Sequence, residues 1–504
     1  MIRDILVDGS WRPSSGTETF QAVNPLTGDT LPAQFPISTW DDCDRALTAA
    51  AAAFEVLRET PGDRIAAFFD RYAESLQEHA DELVAQAHLE SGLPTTPRLR
   101  DVELPRTINQ LRLAAEAVRD GGWRLPTIDA AANIRSYLAP IGPVCVFGPS
   151  NFPFAFGAVA GGDFAAAIAA GNPVIAKAHP LHPETARMLA VLAVEALRDA
   201  GLPSATVQLL YHLKPEDGER LVSDHRIAAS AFTGSKPSGL RLKRAADDAG
   251  KLIFLELSST NPVVILPGVL AERGPQLATE FCDSALMGGG QFCTNPGIVL
   301  LLASEPTEAF IRDVSQQYQA RPAGRLMSAG VVAALNASVA TLRTAGAALI
   351  AEGSAADTAA FTHANTLLRV SASDWLGQPQ TFQTEAFGNA SLFVVAASVA
   401  EASEVLRALE GNLTGCIYSA KDGSEDADYD ALAHVLRPRV GRLLNDKMPT
   451  GVAVSPAMNH GGPYPATGNP HFTAVGIPAS IRRFTALHCF DNVRQHRLPA
   501  CLRD

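Results

Sequence analysis

Mostly apolar runs alternate with helical patterns over the central part of the chain. The runs lie at 144–147, 174–178, 207–211 and 227–232, and helical segments follow them near 156–170, from 183, after 211 and at 235–249. This alternation predicts a doubly wound parallel sheet with helices on both faces. Ligands of such sheets bind beyond the carboxyl ends of the strands, so we expect a site there.

The sequence on either side of this sheet predicts further elements. Residues 1–37 indicate short strands and turns, while apolar residues at spacings of three and four predict helices within 41–90 and over 101–120. Residues 123–141 are polar and strand-like, which favours an arm outside the main body. A second β/α series runs from 252 to about 446, with strands predicted at 254–257, 263–266, 298–302, 392–396 and 416–418.

Composition narrows the class of protein. At 504 residues the chain is too long for one simple core, and we expect two or three domains. Its 47% hydrophobic and 19% charged residues are typical of a soluble globular protein. The net charge is -12 and dense basic runs are missing, so a nucleic-acid-binding surface is not expected.

Cysteine usage and apolar stretches favour a cytoplasmic protein. The seven cysteines are odd in number and widely spaced, which fits reduced thiols better than a disulfide framework. No CxxC pair or His/Cys cluster suggests a metal site. Residues 1–9 lack the apolar core of a signal peptide. The apolar stretch 152–170 contains Pro153 and Asp163, so we expect a buried helix there and no membrane span.

Three glycines lead almost directly into a cysteine in the stretch 288–297. Glycine lets the backbone approach a ligand closely, and Pro296 fixes the exit of the turn. The thiol of Cys293 is therefore a candidate nucleophile on a bent, exposed backbone. A buried cysteine in a glycine-rich loop is the alternative, because free cysteine is among the most buried residue types.

A single carboxylate, that of Glu256, interrupts the apolar segment 254–257. An isolated charge at this place is costly unless it has a partner or a task. Glu256 precedes Cys293 by 37 residues, with one strand and one helix predicted between them. A salt-bridged or solvated glutamate at a strand end is the alternative interpretation.

Six short motifs occur in a fixed order along the chain. They are Gly148-Pro149-Ser150-Asn151-Phe152-Pro153, Lys177-Ala178-His179-Pro180, Phe232-Thr233-Gly234-Ser235, Leu255-Glu256-Leu257-Ser258, Gly290-Gln291-Phe292-Cys293-Thr294 and Glu385-Ala386-Phe387-Gly388. In order and approximate spacing the chain resembles the NAD(P)-dependent aldehyde dehydrogenase superfamily over nearly its whole length. The resemblance implies an α/β fold with three parts and a homodimer or homotetramer. The parts are a doubly wound cofactor-binding domain (1–122 and 140–257), an α/β catalytic domain (258–460), and a small β oligomerisation arm with the tail (123–139 and 461–504).

The resemblance also implies catalytic roles. Cys293 would add to the aldehyde carbonyl, because a cysteine is nucleophilic even when only partly ionised. The side-chain amide of Asn151 and the backbone N–H of Cys293 would stabilise the oxyanion of the adduct. Glu256 would be the general base that activates water to hydrolyse the thioester.

Cofactor residues follow from the same resemblance. Gly234, Ser235 and Gly239 open a helix directly after a strand, where backbone N–H groups can face a pyrophosphate. Many NAD-preferring members carry a glutamate three residues after the lysine of the second motif, whereas this chain has His179 and then Pro180. No carboxylate there repels a 2′-phosphate, so we expect NADP to be used at least as well as NAD. The remaining implied contacts are Lys177 at the adenosine ribose and Glu385 and Phe387 at the nicotinamide ribose and ring.

The stretches 288–297 and 458–467 resemble the α-ketoglutarate semialdehyde (2,5-dioxovalerate) dehydrogenases, which implies that aldehyde as the substrate. Arg106 and Arg112 lie in a segment resembling the same branch, and arginine can grip a carboxylate through two hydrogen bonds. We hypothesise that one of them, Arg106 first, contacts the substrate carboxylate; a surface salt bridge is the alternative for each.

Other activities stay open at this point. NADP-dependent fatty aldehyde dehydrogenases share much of the pattern, so a long-chain aldehyde is the second candidate substrate. Transfer of the acyl group to CoA is disfavoured because Glu256 is retained. A catalytically inactive scaffold is disfavoured because Cys293, Glu256 and Asn151 are all present. A cysteine hydrolase would leave the cofactor motifs without a purpose.

Overall fold

The structure, a computed structural model, describes residues 2–354 and 361–504. Within these ranges the strands form two seven-stranded sheets and two three-stranded sheets. None of the helices in the described ranges is both long and apolar enough to cross a membrane.

The first large sheet contains the apolar runs that precede residue 257. From edge to edge its strands are Leu252–Glu256, Ala229–Thr233, Val144–Phe147, Val174–Lys177, Val207–Leu210, Ile5–Val7 and Ser10–Arg12. The first five pair in parallel, and the two N-terminal strands complete the edge antiparallel. Inner strands such as Val144–Phe147 are buried throughout, because helices cover both faces. The doubly wound sheet predicted from the alternation is confirmed.

The helices of this half follow the predicted order with different boundaries. The pattern in 41–90 forms three helices, and a π-helical segment, Thr95–Glu103, precedes the helix expected over 101–120. The helix predicted near 156–170 was wrong at its start, since it begins at Gly162. Pro153 and the glycines before Gly162 break the helix, and Ala160 has φ +138°. The helices are Trp40–Leu57, Gly62–Glu78, Ala80–Ser91, Leu104–Asp120, Gly162–Ala169, Pro183–Ala200, Pro215–Ser223 and Lys236–Asp248.

The second large sheet is formed by the β/α series after residue 257. Its strands, in order, are Ala348–Glu352, Thr366–Ser371, Ala390–Ala396, Ile298–Leu302, Val263–Ile265, Asn412–Tyr418 and Val440–Asn445. All neighbours pair in parallel except the first two. Along Ile298–Leu302 alternate side chains enter two separate cores, because successive residues of a strand point to opposite faces. The helices are Pro267–Ala285, Glu305–Ala320, Ala329–Thr344, Ala372–Gly377, Pro379–Phe382, Val399–Ala408 and Asp426–Leu436.

Two small sheets complete the fold. One joins Thr19–Val23, Thr30–Ser38 and His212–Leu213. The other joins Thr127–Asp129 and Ile134–Pro140 to Thr485–Asp491 from the tail, as expected of an arm built from 123–139 and C-terminal residues. Before the short helix Ala479–Arg482, the tail runs beside the first large sheet, where Leu257 donates its backbone N–H to the carbonyl of Ala466 at 2.8 Å. This part of the tail therefore lies at the carboxyl end of a sheet strand.

Candidate active site

A cleft of about 1050 Å³ runs along the carboxyl ends of the parallel strands of the first sheet. Phe147, Lys177, Thr233 and Glu256 line it, each at or next to the end of its strand. Cys293 lines the cleft as well, from the part of the chain that forms the second sheet. The site therefore lies where the strand order of a doubly wound sheet places ligands.

The glycine segment before Cys293 adopts a conformation that side chains disfavour. Gly288, Gly289 and Gly290 have φ of +57°, +67° and +72°. A Cβ at Gly290 would clash with the backbone carbonyl of Gly388, so only glycine allows the two segments to touch. Asn261 then fixes the turn, since its Nδ2 donates to the carbonyl of Cys293 at 2.9 Å. The backbone contact at Gly290 and the side chain of Asn261 therefore hold the turn that carries Cys293.

Cys293 lies beside two polar side chains. Its Sγ is 3.5 Å from Nε2 of His460, and the same Nε2 is 2.9 Å from Oε1 of Glu256. Both partners are almost completely buried, and Oε2 of Glu256 has no hydrogen-bond partner among the described residues. The structure therefore brings together Cys293 and Glu256, which the motifs single out, and joins them through an imidazole.

Sequence reasoning missed His460. It lies 167 residues from Cys293, and spacing gives no sign of such a contact. The only available signal was its position inside the 458–467 stretch that supports the family resemblance. Its backbone is anchored by hydrogen bonds to Thr473 Oγ1 at 2.9 Å and to the N–H of Ala474 at 2.9 Å. The segment directly before the tail therefore supplies a residue to this site.

The surroundings of Cys293 favour its neutral thiol. Burial raises the pKa of the thiol well above its ordinary value, and the negative charge of Glu256 raises it further. The positive charge of Arg106 acts in the opposite direction. In the resting protein the thiol is therefore protonated, and a proton acceptor has to be close for it to react. His460 and Glu256 occupy that place.

Asn151 is buried and faces the cysteine turn. One N–H of its Nδ2 donates to the backbone carbonyl of Gln291 at 2.9 Å, and an amide nitrogen carries a second N–H. The backbone N–H of Cys293 donates to no group within the described ranges. Two donors suited to an oxyanion are thus available near the sulfur.

Arg98 and Glu103 hold the Asn151 segment, and the motifs gave no sign of either. Arg98 donates from Nη2 to the backbone carbonyl of Asn151 at 2.9 Å and forms a buried ion pair with Glu103. Oε1 of Glu103 accepts from the backbone N–H groups of Phe154 and Ala155 at 2.9 and 3.0 Å. These contacts fix the loop in position before a substrate arrives.

The two arginines proposed for the substrate are placed differently. Arg106 donates to Gln110 at 3.0 Å and to the carbonyl of Val452, while its buried Nη2 has no partner among the described residues. Burial lowers the pKa of Arg106, and the negative charge of Glu103 counteracts this. Arg112 is exposed and donates to Gln77 at 3.1 Å. The structure does not bring Arg112 to the site, because six residues on a helix place it roughly 120° away from Arg106.

The strand-to-helix junction at Ser235 fits the pyrophosphate of a dinucleotide. Ser235 precedes the helix Lys236–Asp248 and lines the cleft together with Gly234. A Cβ at Gly239 would clash with Leu257, so glycine allows the helix to lie close to the neighbouring strand. Pro237 has no N–H and that of Lys236 donates to Ser258 Oγ at 3.4 Å, so the N–H of Ser238 is the one in the first helical turn that borders the cleft and can bind an anion.

Lys177 and His179 line the cleft at the end of strand Val174–Lys177. Burial lowers the pKa of Lys177 to about 8. Burial also lowers the pKa of His179 well below its ordinary value, so this imidazole is neutral at neutral pH. Its Nδ1 accepts the N–H of Leu181 at 3.2 Å, which leaves Nε2–H as a donor.

Glu385 and Phe387 line the cleft on the side of the second sheet. Oε1 of Glu385 accepts the backbone N–H of Ser259 at 3.2 Å, and burial raises the pKa of Glu385. These two residues lie along the same cleft as Gly234 and Ser235, so the residues implied for both ends of a dinucleotide border one cavity. The cavity and its lining fit NAD or NADP.

Comparisons with known proteins find matches over most of the chain. The model of the aldehyde dehydrogenase family matches residues 11–427. The chain is 39% identical over 503 residues to alpha-ketoglutaric semialdehyde dehydrogenase 2 of Azospirillum brasilense, covering 96% of this chain and 94% of that protein. It is 34% identical over 505 residues to the alpha-ketoglutaric semialdehyde dehydrogenase of Acinetobacter baylyi, covering 98% and 94%. A variant of aldehyde dehydrogenase C from Pseudomonas syringae, in complex with NAD+ and octanal, shares the fold, with a TM-score of 0.80, 20% identity and coverage of 97% and 96%.

Proposed function

The chain belongs to the aldehyde dehydrogenase family, and we propose that this NAD(P)-dependent enzyme oxidises α-ketoglutarate semialdehyde to α-ketoglutarate at Cys293. The observation that carries the substrate proposal is Arg106, whose buried Nη2 has no hydrogen-bond partner among the described residues and whose guanidinium packs on Phe156, next to His460. The two relatives described above, both alpha-ketoglutaric semialdehyde dehydrogenases, support it.

Cys293 attacks the aldehyde carbon in the proposed first step. The thiol proton passes to Nε2 of His460 while the proton already on that nitrogen passes to Oε1 of Glu256, which then releases it to water. The second amide N–H of Asn151 and the backbone N–H of Cys293 stabilise the oxyanion of the adduct. The burial that raises the thiol pKa therefore protects the sulfur until a substrate and this proton path are both in place.

The residues along the cleft would hold the cofactor with its nicotinamide end on the side of Glu385 and Phe387. Gly234 and Ser235 would hold the pyrophosphate, Lys177 the adenosine ribose, and Glu385 and Phe387 the nicotinamide end. When bound, the nicotinamide supplies the hydride acceptor for aldehyde oxidation. Cys293 then carries the acyl group as a thioester, and Glu256 removes a proton from the water that hydrolyses it.

A cationic and aromatic wall defines the substrate side of the site. The Arg106 guanidinium is 5.2 Å from the ring centroid of Phe156, which also packs against His460. Phe152 packs edge-on against both Phe156 and Phe292. Such a wall excludes water from the thioester, while the unpaired N–H of Arg106 offers a charged partner for a carboxylate.

Replacing Arg106 with alanine is expected to raise KM for α-ketoglutarate semialdehyde by about 10- to 100-fold, because a hydrogen bond to a charged group contributes about 1.5–3 kcal/mol. The KM for pentanal, which has the same number of carbons and no carboxylate, is expected to change little. Steady-state kinetics with both aldehydes measure the difference.

Arg112 provides the matched control for this variant. It lies on the same helix but faces solvent, so Arg112→Ala is expected to leave both KM values near those of the wild type. Equal KM increases for the two aldehydes in Arg106→Ala would rule out a carboxylate contact. If KM for the semialdehyde alone increased in Arg112→Ala, the carboxylate contact would belong to Arg112 and not to Arg106.

We propose that NADP is used at least as well as NAD. Pro180 stands where a carboxylate would repel a 2′-phosphate, and the Lys177 ammonium and the Nε2–H of His179 border the same part of the cleft. The ratio of kcat/KM for the two cofactors is therefore expected to be at least one in favour of NADP at pH 7. A strong preference for NAD would contradict the proposal.

The pH dependence of this ratio tests Lys177 directly. Its pKa of about 8 means that the ammonium is present below pH 8 and lost above it. Because kcat/KM reports the free enzyme, the value for NADP is expected to fall above pH 8 relative to the value for NAD. In Lys177→Met this change in the ratio should disappear.

The small sheet formed with the tail is the proposed contact between subunits. Its Ile128, Ile134 and Leu487 are 42%, 38% and 67% exposed, and exposed apolar side chains grouped on one element often mark an interface. We assign the homodimer or homotetramer contact to this sheet.

A further inference from the structure

Three metal-ligating side chains meet at the catalytic sulfur. One ligand atom from each of Cys293, His460 and Glu256 lies within 4.8 Å of the other two. We propose that these residues bind one Zn2+ ion, which reversibly blocks the enzyme. Binding rests on the geometry alone, whereas the block rests on the proposed role of Cys293.

The distances suit a tetrahedral site. With Zn–S near 2.3 Å and Zn–N near 2.0 Å, a tetrahedral angle places sulfur and nitrogen roughly 3.5 Å apart. The observed separation of Cys293 Sγ and His460 Nε2 is 3.5 Å, and Oε1 of Glu256 is 2.9 Å from the same nitrogen. Only small side-chain movements are needed to direct all three atoms at one ion.

The donor set selects the metal. A thiolate and an imidazole favour Zn2+ over Mg2+ or Ca2+, which take mainly oxygen ligands. The ion replaces the thiol proton of Cys293 and any proton between His460 Nε2 and Glu256 Oε1, and these protons pass to water. Oε2 of Glu256, which has no partner among the described residues, can contact the ion or a bound water.

The fourth coordination position faces the substrate. Cys293 and Glu256 both line the cleft, so an ion between them is open to water on that side. Three protein ligands and one position open to water or substrate are the arrangement of catalytic zinc sites, in contrast to closed structural ones. Zn2+ would occupy the space in which the aldehyde carbon approaches Sγ, and inhibition is therefore expected to compete with the aldehyde.

Zinc binding is tested by titrating the full-length enzyme, freed of metal, against a chromogenic zinc chelator. One equivalent is expected to bind to the wild type, and Cys293→Ser and His460→Gln are each expected to weaken binding by about 100-fold or more. The exposed Cys489 and Cys501 provide controls, since Cys489→Ser and Cys501→Ser should retain the equivalent. Thermal melting of each variant confirms that it is folded.

Co2+ gives a readout on the unmodified enzyme. A sulfur-to-cobalt charge-transfer band with tetrahedral visible absorption is expected, and its loss on alkylation of Cys293 would support the site. Absence of binding by the wild type, or binding that survives in both Cys293→Ser and His460→Gln, would overturn it. Loss of binding in Cys489→Ser or Cys501→Ser would also overturn it, by placing the ion at the surface.

Inhibition is measured separately, as NAD(P)H formation with increasing ZnCl2. Reversal by EDTA and relief by excess aldehyde are expected. An enzyme that binds Zn2+ at this site and still turns over at full rate would retain the zinc site but overturn the block and the nucleophile role of Cys293. A failure of Zn2+ to bind and a failure of bound Zn2+ to block turnover are therefore distinguishable.

Discussion

Cys293→Ala is expected to lower the rate of NAD(P)H formation by at least about 10⁴-fold, because the variant has no group to form the covalent adduct. The other residues of the site do not replace the sulfur, since His460 and Glu256 only move its proton. Cofactor binding should persist, because the strand-to-helix junction and the Lys177 end of the cleft are unchanged. Rates with α-ketoglutarate semialdehyde and binding of NADPH by fluorescence measure the two effects.

The other cysteines supply the comparison for this variant. Cys501 is exposed and does not line the cleft, so Cys501→Ala is expected to keep wild-type activity. Iodoacetamide should inactivate the wild type more rapidly as pH rises, because the thiolate is the reactive form and burial raises the pKa of Cys293. Substantial turnover by Cys293→Ala would remove it from the mechanism.

Glu256→Gln is expected to lower kcat by about 10²- to 10⁴-fold, the usual contribution of a general base. The amide keeps the shape of the side chain but cannot take a proton from water or from Nε2 of His460. Acyl-enzyme should therefore accumulate, giving up to one equivalent of NADPH per active site before turnover slows. Stopped-flow absorbance and the mass of the Cys293 peptide report this intermediate.

An external nucleophile separates the two uses of Glu256. Hydroxylamine attacks a thioester without a general base, so it is expected to restore turnover in Glu256→Gln to the rate at which the acyl-enzyme forms. A slowed burst would show that Glu256 also assists Cys293 through His460, in line with the 2.9 Å contact. Unchanged kcat would remove Glu256 as the base.

Local sequence patterns predicted the first sheet well because its strands are continuous apolar runs between helices. Val144–Phe147 coincides with its predicted limits, and Val174–Lys177 lies within the predicted run 174–178. The helix near 156–170 was misjudged because composition shows an apolar stretch but not the turn that ends at Gly161. Sequence periodicity does not report how glycine and proline divide such a stretch.

Part of the site was predicted from the sequence, and there is a physical reason why some of its residues were found and others were missed. Cys293, Glu256 and Asn151 were found because each lies in a short motif at a strand end or turn. His460 and Arg98 act through contacts across many residues of sequence, which no local spacing encodes. Arg112 was included because a helix pattern was not combined with helix phase, which separates it from Arg106.

The proposed function requires that the enzyme prefers an aldehyde with a distal carboxylate. The most direct test of this preference is kcat/KM of the wild type for α-ketoglutarate semialdehyde and for pentanal, followed by NAD(P)H absorbance. We expect a value about 10- to 100-fold higher for the semialdehyde, because one charge-assisted contact is made only with that aldehyde. Equal values, or a higher value for pentanal, would contradict it.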